Sequence, residues 1–436
     1  MWRRSYGFSK PEAPLNRGNE PASKHPSLPA VKRSSVPAAK AMRVLHVIPS
    51  VSPLRGGPSI AVRTMARGLT QAGVEVHVAT TDDDGPGRLR VSYAAPIEEE
   101  GVTYWYFPRQ GRFYTFSWPL SRWLARHVRD YDLVHIHALF SYAAVAAAVS
   151  ASRSNVPYIV RPLGVLNQWG IRNRRRWLKR ISFPLIERRI LNGAAAVQFT
   201  SDQERIEAGE LGVRQKAVVI PNAISTEAFS LSASAGRQRQ NPPHLSGRTV
   251  IFFLSRLDPK KGLDLLLPAF ARARAQYPRI ALMLAGSGEA DFMAHLQKEA
   301  VRLGIASDLF WVGFLAGEQK WAALAEADIF VLPSYSENFG IAAAESMVFG
   351  LPVVVSDQVA IHREIAEAQA GLVVPCDVEA LTKALLVLVG DAALRHRLGA
   401  NGRSLARTQF SPGAVTDQLI RLYTAVGKPA LSEAVA

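Results

Sequence analysis

The chain is poor in cysteine, in acidic charge and in long apolar runs. Cys376 is the only cysteine among 436 residues, so no disulfide can form within the chain and a reducing cytoplasm is the expected compartment. No apolar run reaches the roughly 18–20 residues that cross a bilayer. The Ala-rich stretch from Tyr142 to Ala151 is too short for that and reads as a core helix. A Gly-x-Gly-x-x-Gly fingerprint is missing, which counts against a nicotinamide enzyme. His135 and His137 share a strand face, but no third and fourth ligand stand at helpful spacing, so no metal site is expected. Asp82-Asp83-Asp84, followed by Gly85-Pro86-Gly87, reads as a solvated loop.

What is present is ordinary globular material, with 48% hydrophobic and 20% charged residues in a length that accommodates two domains. Buried-strand patterns alternate with helical ones, which predicts an α/β protein with parallel sheets. The expected division is a disordered basic leader over 1–41, a first Rossmann-like domain over 42–229 and a linker over 230–247. A second Rossmann-like domain follows over 248–410, then a final helix and tail over 411–436. The net charge of +16 suits phosphorylated substrates or an anionic surface. Much of it lies in the leader and in 172–189, where arginines flank Trp177, Phe183, Leu185 and Ile186. That mixture suits a helix lying on anionic lipid. No nucleic acid is expected, because no nucleic-acid-reading motif accompanies the charge.

The most informative stretch is Ser336-Glu337-Asn338-Phe339-Gly340, with Glu345 eight positions beyond Glu337. The apolar run Asp328–Pro333 predicts a buried parallel strand, and Gly340–Gly350 an Ala-rich helix. Glu337 then sits on a loop at a strand's carboxyl end, where open α/β sheets hold ligands. The helix start offers free N–H groups to an anion. Upstream, Arg256 at one strand's end and Lys261 at the next helix start can reach a single diphosphate. Ala285-Gly286-Ser287-Gly288 is a glycine turn after another strand. Gly56-Gly57, after the opening strand, permits close backbone approach.

Glu337 with Glu345, Arg256-Leu257 with Lys261-Gly262, and the two glycine loops together resemble the retaining family 4 glycosyltransferases, which have the GT-B fold. The resemblance spans about Met42 to Thr424 and is closest to bacterial cell-surface polysaccharide enzymes. It implies two Rossmann-like domains facing across a cleft, with a final helix bracing the first domain. By this resemblance Arg256, Lys261, Glu345, Gly286, Gly288 and the N–H groups of Phe339 and Gly340 bind the donor. Glu337 and His137 meet the donor sugar, and Arg161 meets the acceptor. Asp82-Asp83-Asp84 also resembles the metal motif of the GT-A glycosyltransferases, but the GT-B order of elements argues for a plain loop.

The expected function is transfer of a sugar, with retention, from a nucleotide sugar to a glycan or lipid-linked acceptor in cell-surface polysaccharide synthesis. No cofactor is expected, and the location is cytoplasmic, peripheral on the inner face of the plasma membrane. A nucleotide-sugar epimerase of the same fold, or a non-catalytic protein binding membrane or nucleic acid, are the alternatives.

Overall fold

The computed structural model describes residues 41–166, 182–213, 216–235, 242 and 245–427. The 1–41 leader, save its last residue, and the greater part of the basic 172–189 segment lie outside them. Two parallel sheets organise the described chain. The first contains β1 (Arg43–Val47), β2 (Glu75–Thr81), β5 (Ile97–Glu99), β6 (Val102–Phe107), β7 (Leu133–His137), β8 (Tyr158–Arg161), β9 (Ala196–Phe199) and β10 (Ala217–Val219). Its order is β10-β9-β8-β7-β1-β2-β6-β5, and only β5 runs antiparallel to its neighbour. A small hairpin, β3 (Asp83–Asp84) with β4 (Gly87–Arg88), projects beyond β2.

The second sheet contains β11 (Thr249–Leu254), β12 (Ile280–Ala285), β13 (Leu309–Gly313), β14 (Ile329–Leu332), β15 (Val353–Ser356) and β16 (Gly371–Val374). Its order is β13-β12-β11-β14-β15-β16. Segments such as Ile280–Ala285 and Val353–Ser356 are buried along their whole length. This is the pattern of strands covered on both faces by helices.

In each sheet the first strand lies between neighbours reached by crossovers in opposite directions. β1 sits between β7 and β2, and β11 between β14 and β12. The carboxyl ends at such a reversal splay apart and leave a crevice. The loops after β11 and β14 carry Lys261 and Glu337, so the sheet order brings together residues 76 positions apart. The end of β7 carries His137 on the corresponding crevice of the first sheet.

The closing helix Pro412–Val426 returns to the first sheet. Val415, Leu419, Leu422 and Tyr423 join the core of Val44, Ile48, Val62, Met65 and Leu69. The helix Thr226–Ala235 enters the segment read as a linker from 230.

The helix Ile341–Val348, which carries Glu345, is held by the long helix Ala392–Gln409. Gly399 makes the approach close: a Cβ there would lie 1.9 Å from the carbonyl oxygen of Gly350. In an isolated helix Gly→Ala stabilises by about 1 kcal/mol. Here the clash is with backbone, and overpacking costs about 1–3 kcal/mol. Gly399→Ala is therefore expected to lower the unfolding free energy in urea titration, opposite in sign to helix propensity.

Candidate active site

Lys261 ends a single turn, Pro259–Lys261, in which Asp258 Oδ1 caps the Lys260 amide, accepting from its N at 3.0 Å. Gly262 follows with φ 70°, and a Cβ there would lie 2.0 Å from the Pro333 carbonyl oxygen. Only glycine satisfies both the left-handed backbone and that contact. The close approach seats the Lys261 turn on the exit of β14, and Tyr335 N donates to Lys260 O at 2.9 Å. Lys261 is buried, and its Nζ forms a short ion pair with Glu337 Oε2.

Glu337 is fixed through its backbone as well. Its N donates to Gln358 O at 3.0 Å, and its carbonyl accepts from Ala360 N at 3.0 Å. Burial pushes its carboxyl up, but the Lys261 ammonium and its hydrogen bond outweigh this and hold it below the ordinary carboxylate value. Phe339 is core, edge-on to Phe410 at 5.3 Å. Gly340 turns the chain into the helix Ile341–Val348 with φ 82°.

Glu345 has a partner that sequence reading missed. Lys320 Nζ donates to its Oε1 at 2.6 Å, and the same ammonium lies 3.9 Å from the Trp321 ring centroid. Burial raises the Glu345 carboxyl above its ordinary value, with Lys320 opposing. Arg256, just beyond the carboxyl end of β11, is exposed. Gly286 and Gly288 pack against its loop: Cβ atoms there would lie 1.8 Å from Ser255 O and 2.2 Å from Leu257 O. These glycines shape the turn that displays Arg256.

The first half reaches this region through small residues. A Cβ at Gly57 would lie 3.1 Å from Ile341 Cδ1, and one at Gly164 would lie 2.3 Å from Asn338 Cγ. Gly56 adopts φ 72° with open space beside it. A cavity of about 200 Å³ separates Gln203, Glu207 and Glu210 from Tyr335, Glu337 and Gln358.

The Asp82-Asp83-Asp84 segment is not the solvated loop its composition predicts. Asp82 and Asp83 are buried. Asp82 Oδ1 accepts from Arg109 N at 2.8 Å and Oδ2 from Tyr93 at 2.7 Å. Asp83 pairs with Arg109 and accepts from Arg55 Nε at 2.6 Å, while Ser52 Oγ donates to Asp84. Ser52 and Arg55 directly precede Gly56, so the acidic run braces the glycine loop.

His137 and Arg161 end adjacent strands in register, and both are fully buried. His137 Nε2 lies 2.9 Å from His46 Nδ1, and His135 Nδ1 lies 2.7 Å from the Tyr423 hydroxyl. His46, His135 and His137 are grouped closely enough to suggest metal ligands. The 2.9 Å contact is a hydrogen bond, however, shorter than the roughly 3.3 Å between two imidazole nitrogens on one tetrahedral zinc. The buried Arg161 guanidinium also opposes a cation. It donates to Asn222 Oδ1, and burial lowers its pKa to about 10.

Two family profiles match the chain: "Glycosyltransferase Family 4" over 55–228 and "Glycosyl transferases group 1" over 235–405. The chain belongs to the family 4 glycosyltransferases. Among curated family members it is 32% identical over 216 residues to a phosphatidyl-myo-inositol mannosyltransferase of Mycobacterium tuberculosis, covering 48% of this chain and 54% of that one. It thus spans about half the length of the mannosyltransferases it matches. A D-inositol 3-phosphate glycosyltransferase of Stackebrandtia nassauensis is 27% identical over 440 residues, covering 95% of each chain. The fold is that of GT-B proteins. Sucrose-phosphate synthase of Thermosynechococcus elongatus superposes with TM-score 0.70 at 22% identity, over 88% of this chain and 98% of that one. Anabaena HepE with UDP-glucose gives TM-score 0.70 at 20% identity, over 88% of this chain and 100% of that one.

The buried imidazoles give family member and solvent a measurable link. Burial, then Arg161, lowers His46 to about 3, and His135 and His137 fall well below their ordinary value for the same reason and through their mutual proximity. In the unfolded chain these three imidazoles protonate near pH 6.5, where in the folded chain they do not. The unfolded state therefore binds more protons, and this stability is present above about pH 6.5 and lost as pH falls toward 3. Each such group contributes about 1.4 kcal/mol per pH unit within its window. Urea midpoints should decline from pH 6.5 to 4, and His135→Gln should make that decline shallower.

Proposed function

We propose that this chain transfers a sugar, with retention of anomeric configuration, from a nucleotide-sugar donor to a glycan or lipid-linked acceptor. The observation that supports this most is the Lys261–Glu337 pair at the switch point of the second sheet, beside the start of the helix carrying Glu345. A leaving nucleoside diphosphate develops negative charge, and preorganised cations and amides stabilise it without reorganisation. In this reading Lys261, Arg256 and the N–H groups of Phe339 and Gly340 take the diphosphate. Glu345 accepts from ribose hydroxyls with its remaining oxygen, while Lys320 holds the other. Gly286 and Gly288 shape the nucleotide turn.

Glu337, held ionised by Lys261, orients the donor sugar together with His137, and the acceptor hydroxyl attacks the face from which the diphosphate leaves. Gly56 and Gly57 approach the donor from the first domain, and Arg161 acts on the acceptor side. We take 42–229 as the acceptor-side domain and 248–410 as the donor domain. Side-chain and backbone charge supplies the stabilisation, so no metal or other cofactor is assigned.

The curated relatives are named for inositol-phosphate and phosphatidylinositol acceptors, which supports a polyhydroxyl or lipid-borne acceptor. A role in cell-surface polysaccharide synthesis accords with that, as does peripheral attachment to the cytoplasmic membrane face through 172–189. No helix among the described residues is long and apolar enough to cross a membrane.

Release of nucleoside diphosphate from UDP- and GDP-sugars tests the assignment. Glu337→Gln and Lys261→Met should each lower kcat by about 10²–10³, the range for losing one preorganised transition-state contact. EDTA should leave the wild-type rate unchanged, and NMR of the product should show a retained anomeric carbon. Undiminished turnover in both variants contradicts the site, and an altered free sugar without glycoside would indicate an epimerase.

A further inference from the structure

Glu204, on the helix Asp202–Glu210 of the first half, ties two loops together with one buried carboxylate. Its Oε2 accepts from Thr200 N and from Thr200 Oγ1, each at 2.8 Å, while Ser201 Oγ accepts from Glu204 N at 3.2 Å. That much resembles a capping box whose glutamate reaches back one residue further, and it closes the helix start onto the end of β9. Oε1 does something the cap does not need. It accepts from Gly164 N at 2.6 Å, in the loop that follows β8.

That loop requires a tie. Leu163 has φ 60° and Gly164 φ 72°. A left-handed leucine persists only where its surroundings hold it there. The Arg161 carbonyl fixes the near end by accepting from Ala138 N at 3.0 Å, and Glu204 fixes the far end. The turn then presents Gly164 to the second half. A Cβ at Gly164 would overlap Cβ, Cγ and Oδ1 of Asn338, so the Asn338 side chain occupies the space the glycine leaves. Asn338 N donates to Glu337 Oε1 at 3.2 Å, on the carboxylate whose Oε2 is held by Lys261. Glu204, Asn338 and Glu337 also line the same cavity.

We propose that Glu204 is a positioning residue for Glu337: it sets the Leu163–Gly164 turn as the seat of Asn338, and Asn338 holds the second oxygen of the Glu337 carboxylate. Lys261 thus fixes Glu337 from within its own half, and Glu204 fixes it from the other. The effect on sugar transfer rests on the glycosyltransferase reading; the seating of Asn338 does not.

Hydrogen exchange of the full chain, followed by mass spectrometry, reads this coupling without substrate. Glu204→Ala should quicken exchange about tenfold over 335–340 in the second half as well as over 162–166. Thr200→Val removes a different bond to the same carboxylate and should leave 335–340 as in the wild type. With a donor sugar, Glu204→Ala should lower kcat about tenfold, the equivalent of one hydrogen bond, with donor KM within twofold. Thr200→Val should keep kcat within twofold. Gly164→Ala, at a half-buried turn, should also lower kcat about tenfold by pushing Asn338 aside. Adding Asn338→Gly, which empties the seat, should recover at least threefold. Exchange over 335–340 unmoved by Glu204→Ala, or a double variant no faster than Gly164→Ala, overturns the proposal. If Glu204→Ala does not fold, the Gly164→Ala pair decides it. If no donor is turned over at all, the functional reading fails, and exchange over 335–340 in Glu204→Ala and Gly164→Ala still decides the seating.

Discussion

The ion pair between Lys261 and Glu337 is the contact on which the candidate site depends. Both groups are largely withdrawn from water, and neither is tolerable there alone. Removing one partner from a buried pair costs about 3–5 kcal/mol, because a bare charge is left behind. Keeping the pair demands that two loops from neighbouring strands meet within bonding distance. Gly262 permits this by admitting the Pro333 carbonyl oxygen to a position a side chain would occupy. Gly286 and Gly288 do the same for the Arg256 loop. Gly262, Gly286 and Gly288 are therefore spaces that backbone fills. The ion pair also leaves Glu337 ionised inside a crevice, a prepared charge that water screens less than it would on an open surface.

The first half solves a different problem. Three imidazoles and a guanidinium lie under its sheet, where unpaired polar groups are costly. Hydrogen bonds between His46 and His137, between His135 and Tyr423, and from Arg161 to Asn222 Oδ1 meet part of that demand. The tyrosine comes from the last described helix, so the chain's end completes a polar core that begins at its first strand. The acidic run at Asp82–Asp84 plays a comparable part above the sheet, tying Arg55 and Ser52 to Arg109 and thereby holding the glycine loop. In both places buried charge and polarity set the geometry of loops that face the crevice.

Much of this was legible before any coordinates. Buried strands announce themselves as runs such as Ile280–Ala285, and the loop residues Lys261, Glu337, Gly262 and Gly340 follow from where those strands end. The pairing of Lys261 with Glu337 rests on strand order, which local pattern does not encode. Lys320 was missed because nothing marks position 320 on its helix as a partner for Glu345 until both helices are packed. His46 reads as an oddity within an apolar strand, and its bond to His137 follows only from β1 lying beside β7. Asp82–Asp84 was misread for a related reason. Three adjacent carboxylates beside Gly-Pro-Gly look solvated unless Arg55 and Arg109, both distant in sequence, are known to converge on them.

The most direct test of the account is a crystal structure of the full chain with an intact nucleotide sugar. The diphosphate should lie within hydrogen-bond distance of Lys261 and Arg256, the ribose against Glu345, and the sugar between Glu337 and His137. A nucleotide sugar bound elsewhere, with the Lys261–Glu337 crevice empty, would contradict it.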